Sequence, residues 1–116
     1  MDTEKLQGLV ESVATRYGYQ TPRVQLKRLK SWYGICHTRE NLVVFDRSIV
    51  ESNDEATVEQ LVKHELAHFR VRLHSRDFAS ELVRMGLVVE HRQLQGWYEV
   101  CYYNDPRRSH GISIRY

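Results

Sequence analysis

The chain has 116 residues, 41% hydrophobic and 28% charged, with a formal net charge of +2. That size and mix describe one small globular domain over residues 1–116 and exclude disorder, collagen and coiled coil as whole-chain descriptions. A charge so close to zero does not by itself announce a nucleic-acid binder.

Two cysteines, Cys36 and Cys101, make no disulfide framework and read as reduced, packed thiols. No apolar run is long enough for a membrane span, and no signal-peptide core follows Met1. The expectation is a cytoplasmic protein with no membrane partner. Arg28 and Lys30 belong to one basic stretch, and Arg70, Arg72 and Arg76 to another. Both read as solvated faces.

The predicted elements run as follows. Leu6, Leu9, Val10, Val13, Ala14 and Tyr17 keep helical spacing, and Gly18 is a natural stop. Thr21-Pro22 breaks the chain. From Val24 to about Asp46 the residue types predict strands, interrupted at Ser31, at Gly34 and at the Thr38-Arg39-Glu40-Asn41 turn. Leu42-Val43-Val44-Phe45 is an apolar run of strand length. Ser52, with Glu55 three residues on, forms a capping-box signature for a long helix reaching to about Arg72. Ser75 caps a further helix that Gly86 ends, with Asp77 in its first turn. Trp97 to Tyr103 reads as a strand, and Ile112 to Tyr116 alternates like a short final one. The fold class is α+β, with a short, mostly antiparallel sheet.

The most informative segment is His64-Glu65-Leu66-Ala67-His68. A spacing of four residues is close to one helical turn, so both imidazoles leave one face and can grip one metal ion. Glu65, at the edge of that face, is placed to take a proton from a metal-activated water. With 6 His and 10 Glu in the chain, chance supplies about 0.03 such matches. On a helical wheel Glu65 falls inside the apolar arc of Val58, Leu61, Val62 and Phe69. Both histidines lie at its margin, and Glu59, Lys63 and Arg70 on the solvated side. A carboxylate inside an apolar arc is costly without a partner, and a metal site accounts for it. Two ordinary helix histidines and an ion-paired Glu are the bland alternative. A catalytic zinc needs a third protein ligand and an open fourth position. His74 is the first choice, with Glu81 and Glu90 as alternatives. His37, His91 and His110 have no ligand spacing and read as ordinary histidines.

The run from His64 through His68 to His74, Ser75 and Phe78 spells H-E-L-A-H-x5-H-S-x2-F. This resembles the SprT-like zinc metallopeptidases, particularly their small YgjP-group relatives. Trp32, Gly34 and Cys36, followed by Asn41 to Val44, are similar to the turn and strand that precede the active-site helix there. Tyr33 departs from that pattern by separating Trp32 from Gly34. Two cysteines cannot build the four-cysteine ribbon of many SprT proteins. The chain also matches the minigluzincins in size. Val71 occupies the place of the metzincin glycine, so that family is not implied.

The resemblance implies a zinc-dependent peptidase with Zn²⁺ held by His64, His68 and His74, Glu65 as general base, and a peptide or protein substrate. Leu42, Val43 and Val44 are expected to form the substrate-binding edge, pairing with an extended peptide. An oxyanion donor is needed, and Tyr98, Tyr102 and Tyr103 are in reach of that role by residue type. Two further readings keep the same site: a zinc hydrolase of non-peptide amides, and a SprT-like protease acting on nucleic-acid-bound proteins, which would add a nucleic acid as partner. The segment Asn104 to Tyr116, carrying His110, is expected either to pair as a strand or to lie in the cleft and block it.

Overall fold

The computed structural model of the chain describes residues 1–30, 33–94, 97–103 and 112–115, with side chains for 1–30 and 33–90. Helix α1 (Thr3–Tyr17) starts where Asp2 accepts the Lys5 N–H at 2.8 Å. It ends at Gly18, whose φ of 78° is the left-handed conformation expected of a helix-stopping glycine. Strands β1 (Arg23–Lys27), β2 (Gly34–His37) and β3 (Leu42–Asp46) form the first sheet. Its order is β1-β3-β2, with β1 parallel and β2 antiparallel to β3. The expected antiparallel sheet is therefore mixed. The turn between β2 and β3 is closed at Asn41, with φ 51°, a conformation that asparagine tolerates better than most residues.

Asp46 ends β3 and caps the short helix α2 (Arg47–Ser52) by accepting the Ile49 N–H at 3.0 Å. The helix carrying the motif, α3, spans Glu55–Ala67 and is capped by Asp54, which accepts the Thr57 N–H at 2.8 Å. Ser52 instead closes α2. The motif helix also stops five residues short of the expected Arg72. It gives way at His68 to a tight turn in which the Phe69 and Arg70 N–H groups bond to Leu66 and Ala67 carbonyls. Ser75 caps α4 (Arg76–Arg84), accepting the Phe78 N–H at 3.3 Å, and Gly86 follows it with φ 82°. A second, antiparallel sheet has the order β4-β5-β6: β4 (Val88–Leu94), β5 (Trp97–Tyr103) and β6 (Ile112–Arg115). β4 was not expected from the sequence.

The apolar residues of α1 pack with Val24 and Leu26 of β1, Val43 and Phe45 of β3, and Val58, Leu61, Val62 and Leu66 of α3. This cluster fixes α3 against the sheet. A second cluster, Ala67, Phe78, Ala79, Leu82, Met85 and Leu87, fixes α4 against the end of α3. Each fully buried Val, Leu, Phe or Met side chain here is worth about 1.5–3 kcal/mol. Tyr17 and Tyr19 pack against both clusters or their borders. Lys63, expected in solvent, is buried. Its Nζ lies 5.7 Å from the centre of the Tyr17 ring and 3.9 Å from Glu59, because the end of α1 closes over that face. No helix among the described residues is long and apolar enough to cross a membrane.

Candidate metal centre and cleft

Helix α3 delivers His64 and Glu65 in its last full turn and His68 at its C-terminal end. His64 is 8% exposed and Glu65 5%, matching the margin and interior of the apolar arc. His74 belongs to the loop between α3 and the Ser75 cap. That loop is tied back by Arg70, whose guanidinium donates to the Gly18 carbonyl at 3.2 Å and pairs with Glu81 at 3.5 Å.

The three imidazoles converge through their Nε2 atoms. His68 to His64 is 3.3 Å, His74 to His64 3.3 Å, and His74 to His68 3.2 Å. These three residues form the group able to hold a metal ion among the described residues. A tetrahedron of nitrogens, each about 2.0–2.1 Å from a central zinc, has edges of about 3.3–3.4 Å. The donor set and its spacing therefore fit zinc. His68 Nδ1 faces the Val71 carbonyl at 3.2 Å. As a donor there, it leaves the Nε2 lone pair for a metal. Phe78 backs the group, with its ring centre 5.0 Å from His64, 4.6 Å from His68 and 5.0 Å from His74. It is fully buried, so it limits how far any of the three rings can turn.

Burial lowers the imidazole of His64 well below its ordinary range, and the neighbouring His68 and His74 add to that. Burial lowers His68 and His74 as well. All three are thus held in the neutral form that ligates metal. Burial raises the Glu65 carboxyl to about 7. The Cys36 thiol is raised to about 12 by burial and then by the Glu65 charge, so Cys36 stands beside the site as an un-ionised thiol.

The cleft around these groups has a volume of about 500 Å³. Strand β2 supplies one wall through Gly34, Ile35 and Cys36, with Thr38 just beyond, and Arg72 enters from the α3–α4 loop. This corrects the expected substrate edge. Leu42, Val43 and Val44 lie on β3, whose two sides are already bonded to β1 and β2. Val43 and Val44 are buried. The strand edge at the cleft belongs to β2. Neither alternative ligand reaches the histidines. Glu81 accepts hydrogen bonds from Tyr19 and from Arg84 Nε at 2.9 Å, and those partners lower its carboxyl. Glu90 is exposed on β4. The side chains of Tyr98, Tyr102, Tyr103, His91 and Cys101, and the segment 104–111 with His110, lie outside the described residues.

Gly34, Phe78 and Arg72 were not given site roles from the sequence. For Gly34 a signal existed, since glycine inside a strand pattern marks close approach of another group. For Arg72 none did.

Residues 3–93 match the family described as YgjP-like, metallopeptidase domain. Among solved structures, the chain is similar to the metallopeptidase zymogen abylysin of Pyrococcus abyssi. The identity is 24% and the TM-score 0.63, covering 70% of this chain and 79% of that one. It is also similar to the zymogen jannalysin of Methanocaldococcus jannaschii, at 20% identity and a TM-score of 0.59, covering 66% and 77%. No curated protein matches the chain.

Proposed function

The chain belongs to the YgjP-like metallopeptidase family, and from that premise we propose that it is a zinc peptidase in which His64, His68 and His74 hold the metal and Glu65 is the general base. The observation that carries this reading is the triangle of Nε2 atoms with sides of 3.2–3.3 Å beside a buried carboxylate. The whole chain, 1–116, acts as one zincin-like domain in this reading, of minigluzincin size and SprT-like in its motif, and works in the cytoplasm.

Zinc bound there supplies a Lewis acid for the scissile carbonyl and for the attacking water. The residues do the rest. Glu65 takes the water proton on its carboxylate and passes it to the leaving amine. A carboxyl raised to about 7 can both accept and return a proton near neutral pH. The N–H and C=O groups along the free edge of β2 pair with an extended peptide and hold the scissile bond over the histidines. An extended edge suits a peptide better than a small non-peptide amide. The nucleic acid expected from the SprT resemblance finds no support in the family match, whose description is of a metallopeptidase domain.

The test is metal content and turnover together. Zinc-loaded protein should cleave an unfolded protein such as reduced casein, lose activity to 1,10-phenanthroline, and regain it on adding zinc. Zinc-loaded protein that cleaves neither casein nor a mixed peptide library would overturn the reading.

A further inference from the structure

Two cavities border the N-terminal end of β2. The first holds the three histidines and Glu65 and has Arg72 in its wall. The second, of about 900 Å³, is lined by Arg28, Lys30 and Tyr33. They are consecutive. Gly34 borders the first and Tyr33 the second. The Asp46 N–H donates to the Tyr33 carbonyl at 2.8 Å, so the β2–β3 ladder continues past Gly34 to Tyr33. A peptide paired to the β2 edge advances about 3.3 Å per residue. Extended one residue past Gly34, it lies beside Tyr33, which borders the second cavity.

Cations outnumber acids in the second cavity. Among the described residues, ion pairs involve Arg16, Arg47, Lys63, Arg70 and Arg84. Arg72, Arg28 and Lys30 stand outside these pairs, and the Arg28 charge acts on Asp46 without a close ion pair. The acids facing the cavities are Glu65 and Asp46. Asp46 accepts Leu29 N–H at 2.8 Å and Ile49 N–H at 3.0 Å, and the Arg28 charge helps hold its carboxyl down, which leaves two cations against one carboxylate in the second cavity. Glu65 faces the histidines. Arg72 is exposed and lines the reaction cavity, and its guanidinium is a fork of donors that takes a carboxylate in bidentate fashion.

We infer that the enzyme selects peptides with a carboxylate beside the scissile bond, held by Arg72, and a further acidic residue held by Arg28 and Lys30. This rests on the peptidase reading above. Either an acidic side chain or a free C-terminus supplies the same carboxylate chemistry.

The experiment compares kcat/KM of the zinc-loaded protein on quenched peptides that differ only in Glu, Gln or Lys at each position flanking the cut. Each peptide is made with a free and with an amidated C-terminus. Glu peptides should be cut at least tenfold better than Gln peptides, with Lys worst, and the ratio should shrink in 0.5 M salt. Arg72→Gln should bring the Glu-to-Gln ratio next to the cut toward one, and Arg72→Glu should turn it in favour of Lys. Arg28→Gln with Lys30→Gln should flatten the more distant position alone. Preference for the free over the amidated end, without dependence on Glu, assigns the carboxylate to the C-terminus. Equal rates on Glu, Gln and Lys peptides with either end, or a preference untouched by Arg72→Glu, overturn the inference. If no peptide is cut, the peptidase reading fails. The inference is then judged by binding of fluorescein-labelled Glu and Gln peptides to the Glu65→Gln protein. Tighter Glu binding that Arg72→Glu abolishes sustains it, and equal binding overturns it.

Discussion

Gly34 and Glu65 touch so closely that no side chain fits between them. A Cβ placed on Gly34 would lie 2.9 Å from Oε1 and 3.1 Å from Cδ of Glu65. The edge strand thereby lies directly against the carboxylate. Gly34→Ala should fold, since a strand position accepts alanine, but it should push the carboxylate aside. A misplacement of about 1 Å at a reacting group costs on the order of a hundredfold in rate. The expected result is a fall of that order in kcat, a smaller change in KM, and unchanged zinc content. Wild-type kcat in the alanine protein would show that the contact does not position the base.

Glu65→Gln keeps the shape of the side chain and removes its basicity. Zinc content should stay near one per chain while kcat falls by about 10²–10⁴-fold, the usual contribution of a positioned base. Metal analysis and peptide turnover on the same preparation check this. Turnover equal to wild type would remove Glu65 from the mechanism. The same substitution lifts the cost of burying an ionisable carboxyl, so the glutamine protein should be at least as stable at pH 8.

His74→Ala should reduce zinc affinity by several orders of magnitude, because two imidazoles alone make a poor site. Glu81→Gln should leave zinc binding intact and lower stability instead. Glu81 accepts from Tyr19 and Arg84 and pairs with Arg70, which joins α4 to the end of α1 and to the loop carrying His74. Its loss should cost about 1 kcal/mol, given partly solvated partners. Competition with a zinc indicator separates the two variants. Tight zinc in the His74 variant and weak zinc in the Glu81 variant would reverse the assignment.

The parts of the fold legible in the sequence were those set by local pattern. α1 with its Gly18 stop, the Ser75 cap and the burial of Glu65 all followed from spacing within one element. What depended on contacts between distant segments was misjudged. Lys63 is buried by Tyr17, 46 residues earlier in the chain. β4 contains Glu90, His91 and Arg92, and it becomes a strand only through pairing with β5. The error at Leu42–Val44 was one of interpretation. An unbroken apolar run is what a strand buried on both faces shows, and such a strand is central, not an edge. Ser52 and Asp54 both offered a cap, and only the short helix α2, which uses up Ser52, decides between them.

The acid response of the metal-free protein follows from the same burial. An imidazole held below its ordinary 6.5 binds fewer protons in the folded state than in the unfolded one. Its contribution to stability is complete above pH 6.5 and is lost as the pH falls below that value. His64, almost fully buried, sets a slope of up to about 1.4 kcal/mol per pH unit. His68 is half-buried and His74 is exposed, so water screens part of theirs. Glu65 acts in the opposite sense. Its carboxyl, raised from 4.5 to about 7, binds more protons folded than unfolded across that window, and stability rises as the pH drops from 7 to 4.5. Glu65 and His64 thus oppose each other below pH 6.5, and His68 and His74 add to the loss. The urea midpoint of chelator-treated protein should therefore fall modestly from pH 7 to 5. It should fall more steeply in Glu65→Gln, where the opposing carboxyl is gone. Zinc should raise the midpoint at pH 7 and lose that effect toward pH 5, because protons compete for the same nitrogens. A metal-free midpoint that rises on acidification, or an identical slope in the Glu65→Gln protein, would contradict this account.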